Sequence, residues 1–241
     1  MLTVIYYHEV VPKGQGAHYQ KIEIDKFESQ MKFLKDNGYV TLRFSEIKEK
    51  IPKKAVIVSF DDGLRSVFEN AVPIMKKYGI ISNVYLPTAY IGKNDKFMTV
   101  DMVKEISDTV EFQAHTHRHS DIRTLSYEDT LEEIKNSDQF FKETLGYLPK
   151  AICLPYGAYD RKSKKNLKKS NRYDFILGSY YGNIKRLKKD KVLPRIGISN
   201  KDDLKVFADK LKGKYNYKGF LQRLRLKLQN LKKQRVTKYD Y

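Results

Sequence analysis

Short apolar runs alternate with longer amphipathic stretches along most of this chain. Leu2–Tyr7 reads as a buried strand, and Ala55-Val56-Ile57-Val58 as another, ending at Asp61. Ile80–Leu86, Val110–Ala114 and Ala151–Leu154 follow the same pattern, with Val40–Leu42 as a shorter strand. Between them, Asp25-Lys26-Phe27-Glu28 predicts a capping box that opens a helix to Asn37, stopped by Gly38. Helical spacing also covers Phe44–Ile51, Thr99–Ser107 and a segment from Ser126 to about Leu145. Leu64–Tyr78 predicts a helix closed by Gly79 and kinked by Pro73. Strands and helices in alternation predict an α/β fold with a parallel sheet, and 241 residues suit one domain. In such folds chemistry gathers at the C-terminal ends of strands. Asp61, Asp62, His115 and Tyr156 each fall just past a predicted strand.

Composition changes this picture in one respect. The net charge of +18 is local: residues 160–191 hold twelve Lys/Arg against three Asp, and residues 212–241 hold ten against one. The remainder is close to neutral. In the second basic segment Tyr217, Leu221, Leu224, Leu228 and Leu231 recur at helical spacing, amid Lys218, Arg223, Arg225, Lys227, Lys232 and Lys233. The chain therefore divides into a body over residues 1–211 and a basic amphipathic segment over 212–241. That segment predicts either a leucine face packed on the body or a helix lying on an anionic membrane surface. No apolar stretch is long enough to span a bilayer. The N-terminus reads as a strand without a basic leader, so the expectation is a cytoplasmic protein, peripheral at the inner membrane face if the helix binds lipid. A single cysteine, Cys153, excludes an internal disulfide and reads as a small buried hydrophobe.

Two clusters carry candidate chemistry. Ser59-Phe60-Asp61-Asp62-Gly63 brings two carboxylates to a strand end, where burial is costly unless a cation or a reaction uses them; the alternative is a polar strand cap and turn. His115-Thr116-His117-Arg118-His119 gathers three of the five histidines. On a helical turn His115 and His119 would project to one side and converge on an ion, with His117 at two-residue spacing as the other choice. Imidazole plus carboxylate is a ligand set of catalytic transition-metal sites.

These segments resemble the metal-dependent polysaccharide deacetylases, the chitooligosaccharide-deacetylase-like carbohydrate esterases. Ser59-Phe60-Asp61-Asp62-Gly63 meets their first motif and His115–His119 their second, while Cys153-Leu154-Pro155-Tyr156-Gly157 departs from the third by placing Cys153 where arginine is usual. Tyr7-His8-Glu9-Val10, residues 27–42, Tyr156-Gly157-Ala158-Tyr159-Asp160 and Leu193-Pro194-Arg195-Ile196 are similar to the poly-N-acetylglucosamine deacetylase branch. The resemblance implies a distorted, incomplete (β/α) barrel. It implies Asp62, His115 and His119 as ligands of one divalent metal ion, zinc first, with cobalt, nickel or manganese as alternatives. It implies Asp61 as the general base and the Tyr156 backbone N–H as an oxyanion donor. The family's late histidine acid is missing, since none follows His119; His8 is the replacement acid or a hydrogen-bonded strand-end residue. Arg195 stands in for the missing arginine or forms a rim salt bridge.

The expected activity is hydrolytic N-deacetylation of an acetamido sugar in a glycan or lipid-linked saccharide. Deacetylation of a non-sugar amide shares the chemistry. A non-catalytic basic module on a decayed scaffold is the alternative class, and nucleic acid is a poor fit because the charge lies outside any recognisable nucleic-acid fold.

Overall fold

The computed structural model describes residues 1–47, 50–185, 187 and 191–231. Its strands are β1 (Leu2–Tyr7), β2 (Glu9–Val11), β3 (Lys21–Glu23), β4 (Val40–Thr41), β5 (Ala55–Phe60), β6 (Ser82–Leu86), β7 (Val110–Ala114), β8 (Ala151–Cys153), β9 (Phe175–Leu177), β10 (Val192–Leu193) and β11 (Ile196–Gly197). The helices are α1 (Ile24–Asp36), α2 (Val72–Tyr78), α3 (Val100–Glu105), α4 (Tyr127–Leu145), α5 (Arg161–Ser170), α6 (Leu204–Leu211) and α7 (Asn216–Leu231).

The main sheet runs β10-β9-β8-β7-β6-β5-β1-β11, with β4 joined to β5, and its strand pairs are parallel. β10 and β11 lie at opposite edges, yet only Pro194 and Arg195 separate them in sequence. The sheet is therefore curled until its edges nearly meet, and this dipeptide crosses the seam of the distorted, incomplete (β/α) barrel. Proline suits the crossing because it has no N–H to give to a ladder.

Both faces of the sheet are covered, which explains why β5 is buried at every position. Alternation still sorts its side chains. Val56, Val58 and Phe60 pack outward with Phe27, Met31 and Met75 of the helices. Ala55 and Ile57 join Leu2, Val4, Tyr85, Leu177 and Leu193 in the barrel interior. Asp61 continues that inward parity.

Several elements differ from expectation. The segment predicted as helix over Phe44–Ile51 is a 3-10 turn, Phe44–Glu46, after which the chain leaves helical geometry at Ile47. Phe44 is buried against Tyr85 and Phe175, so a long-range anchor overrides local propensity; Lys48 and Glu49 lie outside the described residues. The capping box at Asp25 does not form: Glu23 is the N-cap, without a side-chain cap bond, and Asp25 sits in the first turn. β3 runs straight into α1, so the helix begins before the polar residue that would have capped it. Pro73 does not interrupt its helix. The preceding Val67–Ala71 turn is π-helical, with the Val72 N–H bonded to the Val67 carbonyl, and this wider turn makes room for the proline ring. No described helix is long and apolar enough to cross a membrane.

Candidate active site

The C-terminal ends of β1, β5 and β7 and the turn after β8 deliver the candidate residues to one cavity of about 560 Å³, lined among others by His8, Asp61, Asp62, His115, His119 and Tyr156. Backbone strain concentrates there. Asp62, Thr116, His119 and Tyr156 all have positive φ, from 54° to 73°, conformations that cost energy for residues with a Cβ. Gly63 relieves one such position: at φ 62° a Cβ would approach Leu86 Cδ2 to 2.8 Å and Ile91 Cδ1 to 2.9 Å.

Asp61 points inward and is gripped by Arg195, whose Nη1 and Nη2 donate to Oδ1 at 2.6 Å and to Oδ2 at 2.9 Å. Arg195 is fully buried; its Nε donates to the Gly178 carbonyl at 3.0 Å and its Nη2 to Ser179 Oγ at 3.2 Å, while its guanidinium lies 4.3 Å from the Tyr6 ring centroid. Burial alone would raise the Asp61 carboxyl, but Arg195 outweighs it and holds the pKa below the ordinary value. His8 Nε2 stands 3.9 Å from Asp61 Oδ2. Of the two readings for Arg195, the buried bidentate pair replaces the rim salt bridge.

Asp62 turns the other way. Its Oδ1 lies 3.3 Å from His115 Nε2 and 3.4 Å from His119 Nε2, and it has no hydrogen-bond partner although it is buried. The His115 Nδ1 faces the Cys153 carbonyl at 2.8 Å, an acceptor only, so that nitrogen carries a proton. In the neutral ring Nε2 is then a lone pair aimed at a carboxylate oxygen. The His115 Nε2 lone pair and Asp62 Oδ1 are two acceptors facing each other, and they require either an extra proton or a cation between them. Burial works against protonating His115, yet Cys153 and Asp62 outweigh it and leave its pKa well above the usual imidazole value; burial and the neighbouring His115 push His119 down to about 3. The donor set fits a divalent transition metal, with the ring nitrogens turned away from it engaged by the Cys153 carbonyl and, at 3.3 Å, the Tyr156 hydroxyl. Asp61, His115 and Cys153 form a second candidate cluster. It fits less well, because burial raises the Cys153 thiol and Arg195 already occupies both Asp61 oxygens.

The histidines converge without the helical turn the spacing predicted. Residues 115–119 form an irregular loop with left-handed Thr116 and His119. Buried Glu133 of α4 holds it, accepting from the backbone N–H of His117 and Arg118 at 2.8 Å each and from Arg118 Nε at 2.8 Å. His117, the alternative ligand, instead pairs through Nδ1 with Thr88 Oγ1 at 2.9 Å.

Sequence reading did not anticipate Tyr6, Ser179 or Gln222 as parts of this site. The largest departure is α7, which lies over the mouth by its polar face. A Cβ at Gly219 would collide with the Tyr181 carbonyl oxygen. Gln222 Oε1 accepts from the Tyr181 N–H at 2.7 Å, and Asn230 donates to the Tyr159 carbonyl at 2.9 Å while accepting from Arg123 at 3.0 Å. Gln222 and Arg225 line the cavity. Tyr217, Leu221, Leu224 and Leu228 of the stripe stay 47–63% exposed and do not pack on the body, and neighbouring Phe220 is exposed with them. The Leu231 side chain, Lys232 and Lys233 lie outside the described residues.

Comparison with known proteins agrees with this geometry. Residues 48–174 match the polysaccharide deacetylase family model. The poly-beta-1,6-N-acetyl-D-glucosamine N-deacetylase of Staphylococcus aureus is 30% identical over 196 residues, 73% of this chain and 67% of that protein. YxkH of Bacillus subtilis is 28% identical over 176 residues, 70% of this chain; the chain spans 61% of that relative's length. The crystal structure of a polysaccharide deacetylase from Bacillus cereus superposes with a TM-score of 0.79 at 26% identity, over 87% of this chain and 68% of that one. The Streptococcus pyogenes deacetylase PplD, at 23% identity, shares the fold with a TM-score of 0.80, over 87% of this chain and 97% of its own. Motifs, barrel and relatives agree: this chain belongs to the polysaccharide deacetylase family, hydrolases of amide carbon–nitrogen bonds.

Proposed function

We propose that this chain is a metal-dependent N-deacetylase of an acetamido sugar carried by a glycan or a lipid-linked saccharide. The observation that carries the reading is the unpartnered Asp62 Oδ1 facing two imidazole nitrogens, beside an Asp61 held ionised by buried Arg195. A divalent cation held by Asp62, His115 and His119, zinc foremost, supplies Lewis acidity towards a water and the acetamido carbonyl. Cobalt, nickel and manganese suit the same donors.

The chain's own residues do the rest. Asp61 takes a proton from the water that adds to the carbonyl carbon, and Arg195 keeps its carboxylate charged and aimed. The Tyr156 backbone N–H donates to the oxyanion that develops. His8 gives a proton to the nitrogen as the carbon–nitrogen bond breaks, leaving acetate and a free amine. The body over residues 1–211 holds these groups, and the basic segment over 212–241 contributes α7 to the cavity mouth.

The same segment supports peripheral binding to an anionic membrane, on its cytoplasmic side. The outward face of α7 is apolar, and residues 212–231 contain six Lys/Arg and no acid. An anionic lipid surface matches both features.

The deciding experiment is an acetate-release screen of metal-loaded protein against free N-acetylglucosamine oligosaccharides and lipid-linked acetamido sugars. Release that chelation abolishes and a divalent metal restores is the expected result. No release from any acetamido sugar by protein verified to hold metal would overturn the reading.

A further inference from the structure

The mouth of the cavity carries a positive charge that hydrolysis of a neutral amide does not need. Within the cavity Asp61 is already balanced by Arg195, and Asp62 belongs to the cation site. Arg225 of α7 lines the same cavity and has no carboxylate partner among the described residues. Arg43, Arg65, Arg118, Arg123 and Arg172 each pair with an acid, and Arg161 and Arg223, which like Arg225 have no such pair among the described residues, do not line this cavity. One turn earlier, Gln222 spends its carbonyl oxygen on the Tyr181 N–H, which leaves its amide nitrogen as a further donor at the mouth. Gly219 and Asn230 fix the helix on either side, so the Arg225 backbone is held at the rim rather than on a loose segment.

We propose that Arg225 and Gln222 form an anion subsite within the catalytic cavity, and that the substrate is an acetamido sugar bearing a phosphoryl or carboxylate group beside the amide to be cleaved. This rests on the deacetylase reading and narrows its substrate class. A guanidinium offers a planar fork of donors matched to the oxygens of either anion, and the amide of Gln222 adds a neutral donor beside it. The subsite selects and orients; the chemistry stays with Asp61 and the cation ligands. Because both residues ride on α7, the helix that lies over the site also reads the substrate.

The test is a calorimetric titration of metal-loaded full chain with N-acetylglucosamine, with N-acetylglucosamine 1-phosphate and with an N-acetylhexosaminuronate. The expected result is tighter binding of at least one anionic sugar than of the neutral one. In Arg225→Ala that preference falls about tenfold to hundredfold, the range of a charge-assisted hydrogen bond. It survives in Lys212→Ala, which removes one equal charge away from the cavity. Preference for the phosphate alone assigns a phosphoryl group, and preference for both sugars assigns either anion. Equal binding of all three by the unmodified chain, or a preference that Arg225→Ala leaves intact, overturns the proposal. Binding is read without acetate release, so a failure of the deacetylase reading would be seen separately.

Discussion

Arg195 grips both oxygens of Asp61 from a position 134 residues later in the chain. In the usual third motif of this family an arginine would stand where this chain has Cys153; here the guanidinium arrives instead from the seam between β10 and β11. Removing one partner of a buried pair leaves the other charge uncompensated, at about 3–5 kcal/mol. Arg195→Met should lower unfolding free energy by about that amount in urea titrations. It should also move the acid limb of the kcat/KM profile to higher pH, since Asp61, the proposed base, loses the charge that keeps it ionised, and Arg195→Lys should recover part of that shift.

The same pair sets a pH dependence of stability. Arg195 depresses the folded pKa of Asp61 against the opposing effect of burial. The unfolded chain, with a carboxyl near its ordinary value of about 3.9, then binds the proton more readily between the two values. Asp61 therefore stabilises the fold above that ordinary value, and its contribution is lost as pH falls through the folded one. Chemical denaturation between about pH 2 and 6 should show a shallower acid loss in Asp61→Asn.

Metal content separates the two aspartates. The unmodified chain should bind one zinc, and Asp62→Ala, His115→Ala and His119→Ala should lose it by elemental analysis, whereas Asp61→Asn should keep it. Zinc at a hundred times its dissociation constant should stabilise the unmodified chain by about 2.7 kcal/mol. Retention of full zinc by Asp62→Ala would mean that another donor set holds the ion.

His8 Nε2 stands 3.9 Å from Asp61 Oδ2, and His8 lines the cavity. A positioned proton donor contributes about 10²–10⁴-fold to rate. His8→Ala should lower kcat by that factor with zinc content unchanged. Turnover within twofold of the unmodified chain would assign the departing proton to another group.

The outward face of α7 makes a separate test. Flotation with vesicles rich in anionic lipid should carry the full chain and leave behind both Leu221→Ser/Leu224→Ser/Leu228→Ser and a chain ending at Leu211. Salt should weaken the binding, because each basic residue near the surface adds about 1 kcal/mol of screened attraction. Flotation of all three to the same extent would remove α7 from membrane contact.

The strand-end carboxylates were legible because a fully apolar run ending in Asp-Asp-Gly leaves few folded alternatives. The gathering of His115 and His119 was legible too, though by an irregular loop rather than a helix. Their convergence depends on Glu133, which arrives from a helix that local spacing cannot connect to the loop. Two-residue strands such as β10 and β11 leave no periodic signal, so the crossing that aims Arg195 was visible only as an apolar stretch with a proline. The leucine stripe of α7 was evident from its period. Which face would meet the body was not, because periodicity reports that a helix has two faces and says nothing of which one another surface will take. Gly219, Gln222 and Asn230 decide it through backbone contacts, and those have no hydrophobic signature.

Because Pro194 and Arg195 bridge the two edges of the sheet, Asp61 gains its counter-ion only when the last strands of the barrel are in place. A chain emerging from the ribosome carries Asp61 long before Arg195 exists, and an interior carboxylate without its partner is a cost to the half-built barrel rather than a working base. Closure of the barrel and pairing of Asp61 with Arg195 are thus one event. A nascent or nicked chain lacking the crossing would be left without the charge that aims Asp61, so under the proposed mechanism intactness of the fold would act as the safety catch on hydrolysis.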